Sequence, residues 1–293
     1  MASRNKVWVV VGVLVALGLI APFTNSFVIL LITRALILAI LAMSLDILLG
    51  FTGLPSLGQA AYLGVGAYLT AILATKYNFG MGWSFWLVVV VGILSGAATA
   101  AFFGLFAIRA SGVYFLMITL ALGQCIWGLA YRWNSLTGGD NGINLPGYRI
   151  FMIGMAAAIG IILWLAMEKT RLGAAVRATV DDAQMARGVG IDTSRISMLI
   201  FALGAFLAAL GGVIGGAFLG VYPGLDFQIL PIAFAVVIIG GMGSLGGAAI
   251  GALVVGLADN FGKALFPEIS YFTLYAPMAL ILAVKPTGLF GRE

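Results

Sequence analysis

The sequence has no histidine, a single cysteine and very little charge. Without imidazole it can build neither His metal sites nor His proton relays, and hydrolytic chemistry has little to use. Cys125 stands alone in an apolar run, so no intrachain disulfide forms and the residue reads as a small core side chain. Charged residues make up 9% of the 293 positions, where a soluble domain carries about 25%.

What fills the chain instead is apolar: 62% hydrophobic residues and a mean hydropathy of +1.15. Apolar runs of about 20 residues match helices that cross a bilayer rather than alternating barrel strands. The expected class is all-α: a polytopic integral membrane protein, one transmembrane domain over 1–293, with about ten helices, some broken at glycine-rich turns. The runs are Val7 to Ala21, Phe27 to Leu49, Ala60 to Thr75, Trp83 to Ile108, Val113 to Trp133, Ile150 to Met167, Ile196 to Val221, Ile229 to Ile239, Ala248 to Leu257 and Ser270 to Val284. The short runs on either side of residues 240–247 also read as half-helices. No small-x-small cleavage site follows the first run, which favours an uncleaved helix over a signal peptide.

Charge tests this count. It puts both termini, the Arg109 turn and the loop 168–195 on one side, where ten Lys and Arg fall against four on the other. The first side is therefore cytoplasmic, and the net charge of +5 reflects topology rather than nucleic-acid binding. Arg34 and Asp46 lie within one run, twelve residues apart, which is about 18 Å along a helix. They cannot pair with each other, so each needs another partner or water, and Asp46 reads equally as a functional intramembrane acid or as a residue reaching the interface.

Two stretches interrupt helix. Gly50-Phe51-Thr52-Gly53-Leu54-Pro55-Ser56-Leu57-Gly58-Gln59 combines helix-breaking glycines with a proline that has no N–H. It reads as a turn at the membrane boundary or as a broken helix lining a cavity. Ser56-Leu57-Gly58-Gln59-Ala60-Ala61 is nearly repeated as Ser244-Leu245-Gly246-Gly247-Ala248-Ala249 after the second break. Paired interruptions in corresponding positions point to a transport pathway, and the even number of crossings between them implies a parallel repeat. Gly53, Pro55, Gly58, Gly243, Ser244, Gly246 and Gly247 are the candidate break and packing residues, and Ser56, Gln59 and Tyr62 are the candidates for lining the path. The rows Gly212, Gly216, Gly220 and Gly243, Gly247, Gly251 suit close helix packing. Gly241 to Gly246 matches G-x-G-x-x-G but has no strand before it, and Gly262-Lys263-Ala264 lacks the rest of a P-loop, so any ATP energy must come from another subunit.

The polar loop from Glu168 to Arg195 holds nine of the 25 charged residues. Ala174 to Arg187 favours a helix that Gly188 and Gly190 stop, and Asp192 to Ser194 caps the next span. A cytoplasmic helix this short is stable only against something, either a docking partner or the lipid headgroups.

Gly50 to Tyr68, Thr137-Gly138-Gly139-Asp140-Asn141-Gly142, Arg177 to Ile191 and Gly240 to Gly247 together resemble the permease subunits of branched-chain amino-acid ABC importers, of the LivM type. The resemblance runs from Phe27 onward. It implies a bacterial inner-membrane permease with both termini cytoplasmic, a homologous LivH-type second permease, two cytoplasmic ATPases that carry the ATP and Mg, and a periplasmic binding protein. This chain would bind no cofactor itself and work by alternating access. Its loop resembles the EAA motif that docks on the ATPase, with Asp182-Ala183-Gln184 where Glu-Ala-Ala is usual. That assigns coupling to Arg177, Asp181, Asp182, Ala183, Ala186, Arg187 and Gly190. Related permeases carry branched-chain amino acids, urea or short amides. An ion-coupled secondary transporter is the competing class, and Asp46 is the one carboxylate that the runs place inside a span.

Overall fold

A computed structural model describes residues 26–77, 83–110, 112–139, 142–143, 149–265, 268, 270–285 and 287–291. The run Val7 to Ala21 lies outside the described residues, as do Asp140 and Asn141. Each of the other nine expected runs falls on a helix. In chain order the helices are α1 (Ser26–Thr52), α2 (Gln59–Lys76), α3 (Trp83–Ala107), α4 (Val113–Arg132), α5 (Asn134–Thr137), α6 (Arg149–Lys169), α7 (Arg171–Asp181), α8 (Ala183–Gly188), α9 (Thr193–Leu219), α10 (Leu225–Gly240), α11 (Leu245–Leu265) and α12 (Ser270–Val284). Among the described residues, five helices are long and apolar enough to cross a membrane.

The bundle is built on α1. No glycine or proline interrupts its Leu- and Ile-rich sequence before Gly50, so the helix runs unbroken. Its apolar surface goes all the way round, which suits a helix with protein on every side. The window Leu31–Gly50 is 94% buried, with α6, α9, α10 and α11 packed around it.

Small residues set how closely α2, α3 and α9 approach. A Cβ on Gly212 would lie 1.9 Å from the Leu63 carbonyl oxygen, and one on Gly66 would lie 2.4 Å from that of Ala209. Backbone on the far side cannot give way, so these glycines are packing surfaces, as are Gly247 and Gly251 where α11 crosses α10. Gly220 is different: it sits just past α9 with φ +75° and turns the chain. The variant Gly212→Val is expected to lose about 3 kcal/mol of packing and most of its membrane level, read by fluorescence-detected size exclusion.

Two expectations change. α11 is no half-helix, since its segment Leu245–Lys263 is itself of spanning length. Cys125 is exposed rather than in the core. It sits on α4, whose spanning window is only 22% buried. Apolar sequence on a rim helix faces hydrocarbon or a partner, so apolarity there does not mark an interior.

Candidate transport pathway and coupling surface

The two broken regions meet. After α1 the chain turns at Gly53, where φ is +64°, and Leu54 N donates to Leu48 O at 3.1 Å. After α10 it turns at Gly241 and Gly243, both at positive φ, and Gly243 N donates to Asp46 Oδ1 at 2.8 Å. Asp46 is fully buried, so it reaches no interface: its carboxylate joins the end of α1 to the second break. A Cβ on Gly50 would lie 2.1 Å from Gly243 N. The C-terminal segment closes the far side, Leu289 N donating to Ile239 O and Phe290 N to Gly240 O, both at 2.9 Å. Those bonds take up carbonyls that the end of α10 leaves orphaned.

Contacts also fix the sense of the repeat. α11 runs antiparallel to α1, since Gly243 meets Gly50 while Asp259 meets Arg34. α9 is antiparallel to α1 through Ser44 with Gly204 and Ile37 with Gly215, and parallel to α2 through Gln59 with Gly204 and Ala67 with Gly216. α10 in turn opposes α11 through Val236 with Gly251 and Gly240 with Gly247. α1 and α10 therefore enter their breaks in one direction, and α2 and α11 leave in the other.

Ser56, Gln59 and Tyr62 come together beside the first break, and all three are buried. Gln59 Nε2 donates to Ser44 Oγ at 2.6 Å and Ser44 Oγ donates to Gly204 O at 2.7 Å, a chain of bonds linking α2, α1 and α9. The Tyr62 ring packs edge-on to Phe201, which meets Phe115 in the same way. Ser56 Oγ and Gln59 Oε1 are buried with no hydrogen-bond partner among the described residues. Orphaned polar atoms are costly in an interior, and here they mark where polar contacts are left to be made. Of the echoed serines, only Ser244 works as a cap, accepting from Gly247 N at 3.1 Å.

An open cleft lies at the far end of α9 from the polar loop. α2, α4, the turn 220–224 and the start of α10 line it with Tyr68, Trp127, Tyr222 and Asp226 among others. The sequence reading missed this group. Tyr68 stands in one of the distinctive blocks, but residues 68, 127 and 222–226 are brought together only by the fold.

The polar loop forms two helices where one was expected. Asp182 is extended (φ −154°, ψ 103°), and its Oδ1 accepts from Gln184 N at 2.8 Å and Met185 N at 3.0 Å, so it ends α7 and caps α8. Its carboxylate is thereby explained locally. Arg177 donates to the Met167 carbonyl and ties α7 to α6. Arg187 Nε donates to Thr193 Oγ1 at 2.8 Å and ties α8 to α9. Ala186 turns inward, 3% exposed, and Gly190 takes φ +87° to leave the helix. Asp192 caps α9 as expected, accepting from Arg195 N. The side chains of Asp181 and Ala183 lie outside the described residues. The loop's outward surface is largely charged, with Glu168, Lys169, Arg171 and Arg195 exposed, but it also presents two apolar side chains, Met185 at 70% exposure and Val189 at 80%. Sequence reading had fixed on the charges and passed over these two.

A second carboxylate lies inside a span, contrary to expectation. α11 runs to Leu265, beyond the expected Leu257, and so carries Asp259 and Asn260. Asp259 Oδ2 is 2.9 Å from Arg34 and Oδ1 is 2.9 Å from Lys263, while Arg34 also donates to Asn260 Oδ1. This is the partner that Arg34 required.

The family profile described as "Branched-chain amino acid transport system / permease component" matches residues 27–282. The high-affinity branched-chain amino acid transport system permease protein LivH of Salmonella typhimurium (strain LT2) is 30% identical over 283 residues, covering 87% of this chain and 91% of the relative. LivM of Escherichia coli (strain K12) is 26% identical over 295 residues, covering 88% and 68%. Among solved structures, PsaBC from Streptococcus pneumoniae in complex with Fab is 18% identical at a TM-score of 0.44, covering 92% of this chain and 94% of that one. LivH-type and LivM-type relatives both align over most of the chain, so the resemblance holds at the level of the family that contains them. An all-helical membrane bundle whose paired glycine-rich interruptions join antiparallel helices, matched by one family profile over most of its length, belongs to the permease components of branched-chain amino acid transport systems.

Proposed function

We propose that this chain is the permease subunit of an ATP-driven importer of branched-chain amino acids in a bacterial inner membrane. Both termini are cytoplasmic in this reading. A homologous second permease completes the pathway, two cytoplasmic ATPases supply the work, and a periplasmic binding protein delivers substrate. The observation that carries the reading is the loop: two short helices with an outward apolar tip at Met185 and Val189, tied by Arg177 to α6 and by Arg187 to α9. Two exposed apolar side chains at the tip of a largely charged loop are the kind of anchor that a partner's groove would hold.

The same bonds supply a route for motion. When the ATPases close on ATP, α7 and α8 move with them, and Arg187 carries the shift to Thr193 at the start of α9. α9 holds Gly204, whose carbonyl anchors Ser44 and through it Gln59. Displacing α9 therefore pulls at the polar junction beside the first break, where Ser56 Oγ and Gln59 Oε1 await partners. The test is recovery of the assembly from detergent-solubilised membranes with Met185→Asp and Val189→Asp. Burying a charge in the groove is expected to weaken ATPase retention at least tenfold while leaving the second permease bound. Full retention of the ATPases would remove the loop from the mechanism.

A further inference from the structure

The cleft at the end of α9 remote from the polar loop has a composition that the proposed alternating access leaves unused. Its enclosed space is about 20 Å³ and opens to solvent, room for about one water-sized group such as an ammonium head. Its walls are aromatic and its floor is small. Trp127 is stacked on Tyr131 with ring centroids 5.3 Å apart, and Tyr222 donates its hydroxyl to Gln228 Oε1 at 2.7 Å, so neighbours hold both rings in place. Tyr68 Oη is buried and has no hydrogen-bond partner among the described residues. Gly64 faces open space, since a Cβ there would meet nothing within 4 Å. Among the lining residues one side chain is charged, the Asp226 carboxylate, and none is Lys or Arg.

We infer that this cleft is an admission subsite for the ammonium end of the substrate, with Asp226 as counter-ion, the rings of Trp127 and Tyr222 as cation–π faces, and Tyr68 Oη as a hydrogen-bond acceptor. The inference rests on the importer reading and names one end of the ligand. A cation over an aromatic face gains attraction that grows as water is excluded, and a carboxylate beside it adds a directed charge-assisted bond. The charge of Arg34 reaches Tyr222, but Arg34 is already paired with Asp259 at 2.9 Å, so Asp226 leaves the cleft with a negative charge. Asp226 also lies in the first turn of α10, where a carboxylate faces the positive end of the helix. That position accounts for the acid but not for the aromatic walls, the empty floor or the orphaned hydroxyl.

The test uses the assembled complex with its second permease in nanodiscs and ligand-observed saturation-transfer NMR. The probes are 3-methylbutylammonium, which keeps the cation and branched tail, and 4-methylpentanoate, which keeps the tail and an anion. The ammonium probe is expected to bind and the carboxylate probe to give no signal. Asp226→Asn should weaken the ammonium probe about tenfold, and Tyr68→Phe severalfold. Gly64→Leu should abolish its signal by filling the floor, with no change in thermal stability because its side chain enters open space. Equal binding of both probes, or indifference to Asp226→Asn, would overturn the inference. So would displacement of the ammonium probe by an equal concentration of sodium chloride, which would mark an inorganic-cation site. Leucine uptake by the wild-type assembly is measured alongside. Its absence would count against the importer reading, whereas uptake with unchanged binding in Asp226→Asn would count against the subsite alone.

Discussion

Replacing Asp259 by Ala is expected to cost more stability than any other single side-chain truncation in the bundle. Its carboxylate is 3% exposed and neutralises two cations, Arg34 and Lys263, each at 2.9 Å. Breaking a buried ion pair from one side leaves an uncompensated charge and costs about 3–5 kcal/mol. Lys263, at 47% exposure near the end of α11, can carry its ammonium toward water. Arg34 cannot do so as readily: it is 24% exposed on α1, the central helix, and would keep only its bond to Asn260 Oδ1. The melting temperature of the detergent-solubilised protein should fall by roughly 10 °C. The double change Arg34→Leu with Asp259→Leu removes both charges together and should recover most of that loss. A double variant no better than Asp259→Ala would show that the pair holds the helices by geometry rather than by neutralising charge.

Adding one methyl group at Gly50 is expected to abolish transport. The new Cβ would lie 2.1 Å from Gly243 N and 2.5 Å from Asp46 Oδ1. The first of these is backbone at a turn already held at φ +76°, so the second break must move away from α1 and its bond to Asp46 must open. Gly53→Ala is the control a few residues away. Its Cβ would meet nothing within 4 Å, and the cost is limited to holding an L-residue at φ +64°, about 1–2 kcal/mol. Uptake in cells, normalised to membrane level, should fall at least about a hundredfold for Gly50→Ala and by less than about tenfold for Gly53→Ala. Similar losses in the two variants would mean that the contact between the breaks is incidental.

Much of this architecture was legible in the sequence, because a bilayer makes long apolar runs obligatory and glycine with proline marks where helix fails. That logic found nine described helices, both breaks, the packing role of Gly212 and the Asp192 cap. It failed where local and long-range effects compete. Asp182 was read for docking alone, and its second role, capping α8 and dividing the loop into two helices, went unseen. The end of α11 was set too early because Asp259 and Asn260 look like a polar boundary, and only the Arg34 partner, 225 positions away along the chain, explains their burial. Ser56, Gln59 and Tyr62 were read as lining the path, and nothing local indicated that Gln59 bonds to Ser44 or that Tyr62 packs on Phe201. The aromatic cleft draws on three distant segments, and no periodicity within any one of them reveals it.

The central claim is that this chain moves branched-chain amino acids only as part of an ATP-driven assembly. Its most direct test is leucine accumulation in proteoliposomes that hold the chain with its sister permease and both ATPases, with binding protein and leucine outside and ATP inside. The account predicts accumulation against a gradient that requires ATP and the ATPases, and that fails with Met185→Asp. Accumulation by the chain alone, driven by a sodium or proton gradient and indifferent to ATP, would contradict it.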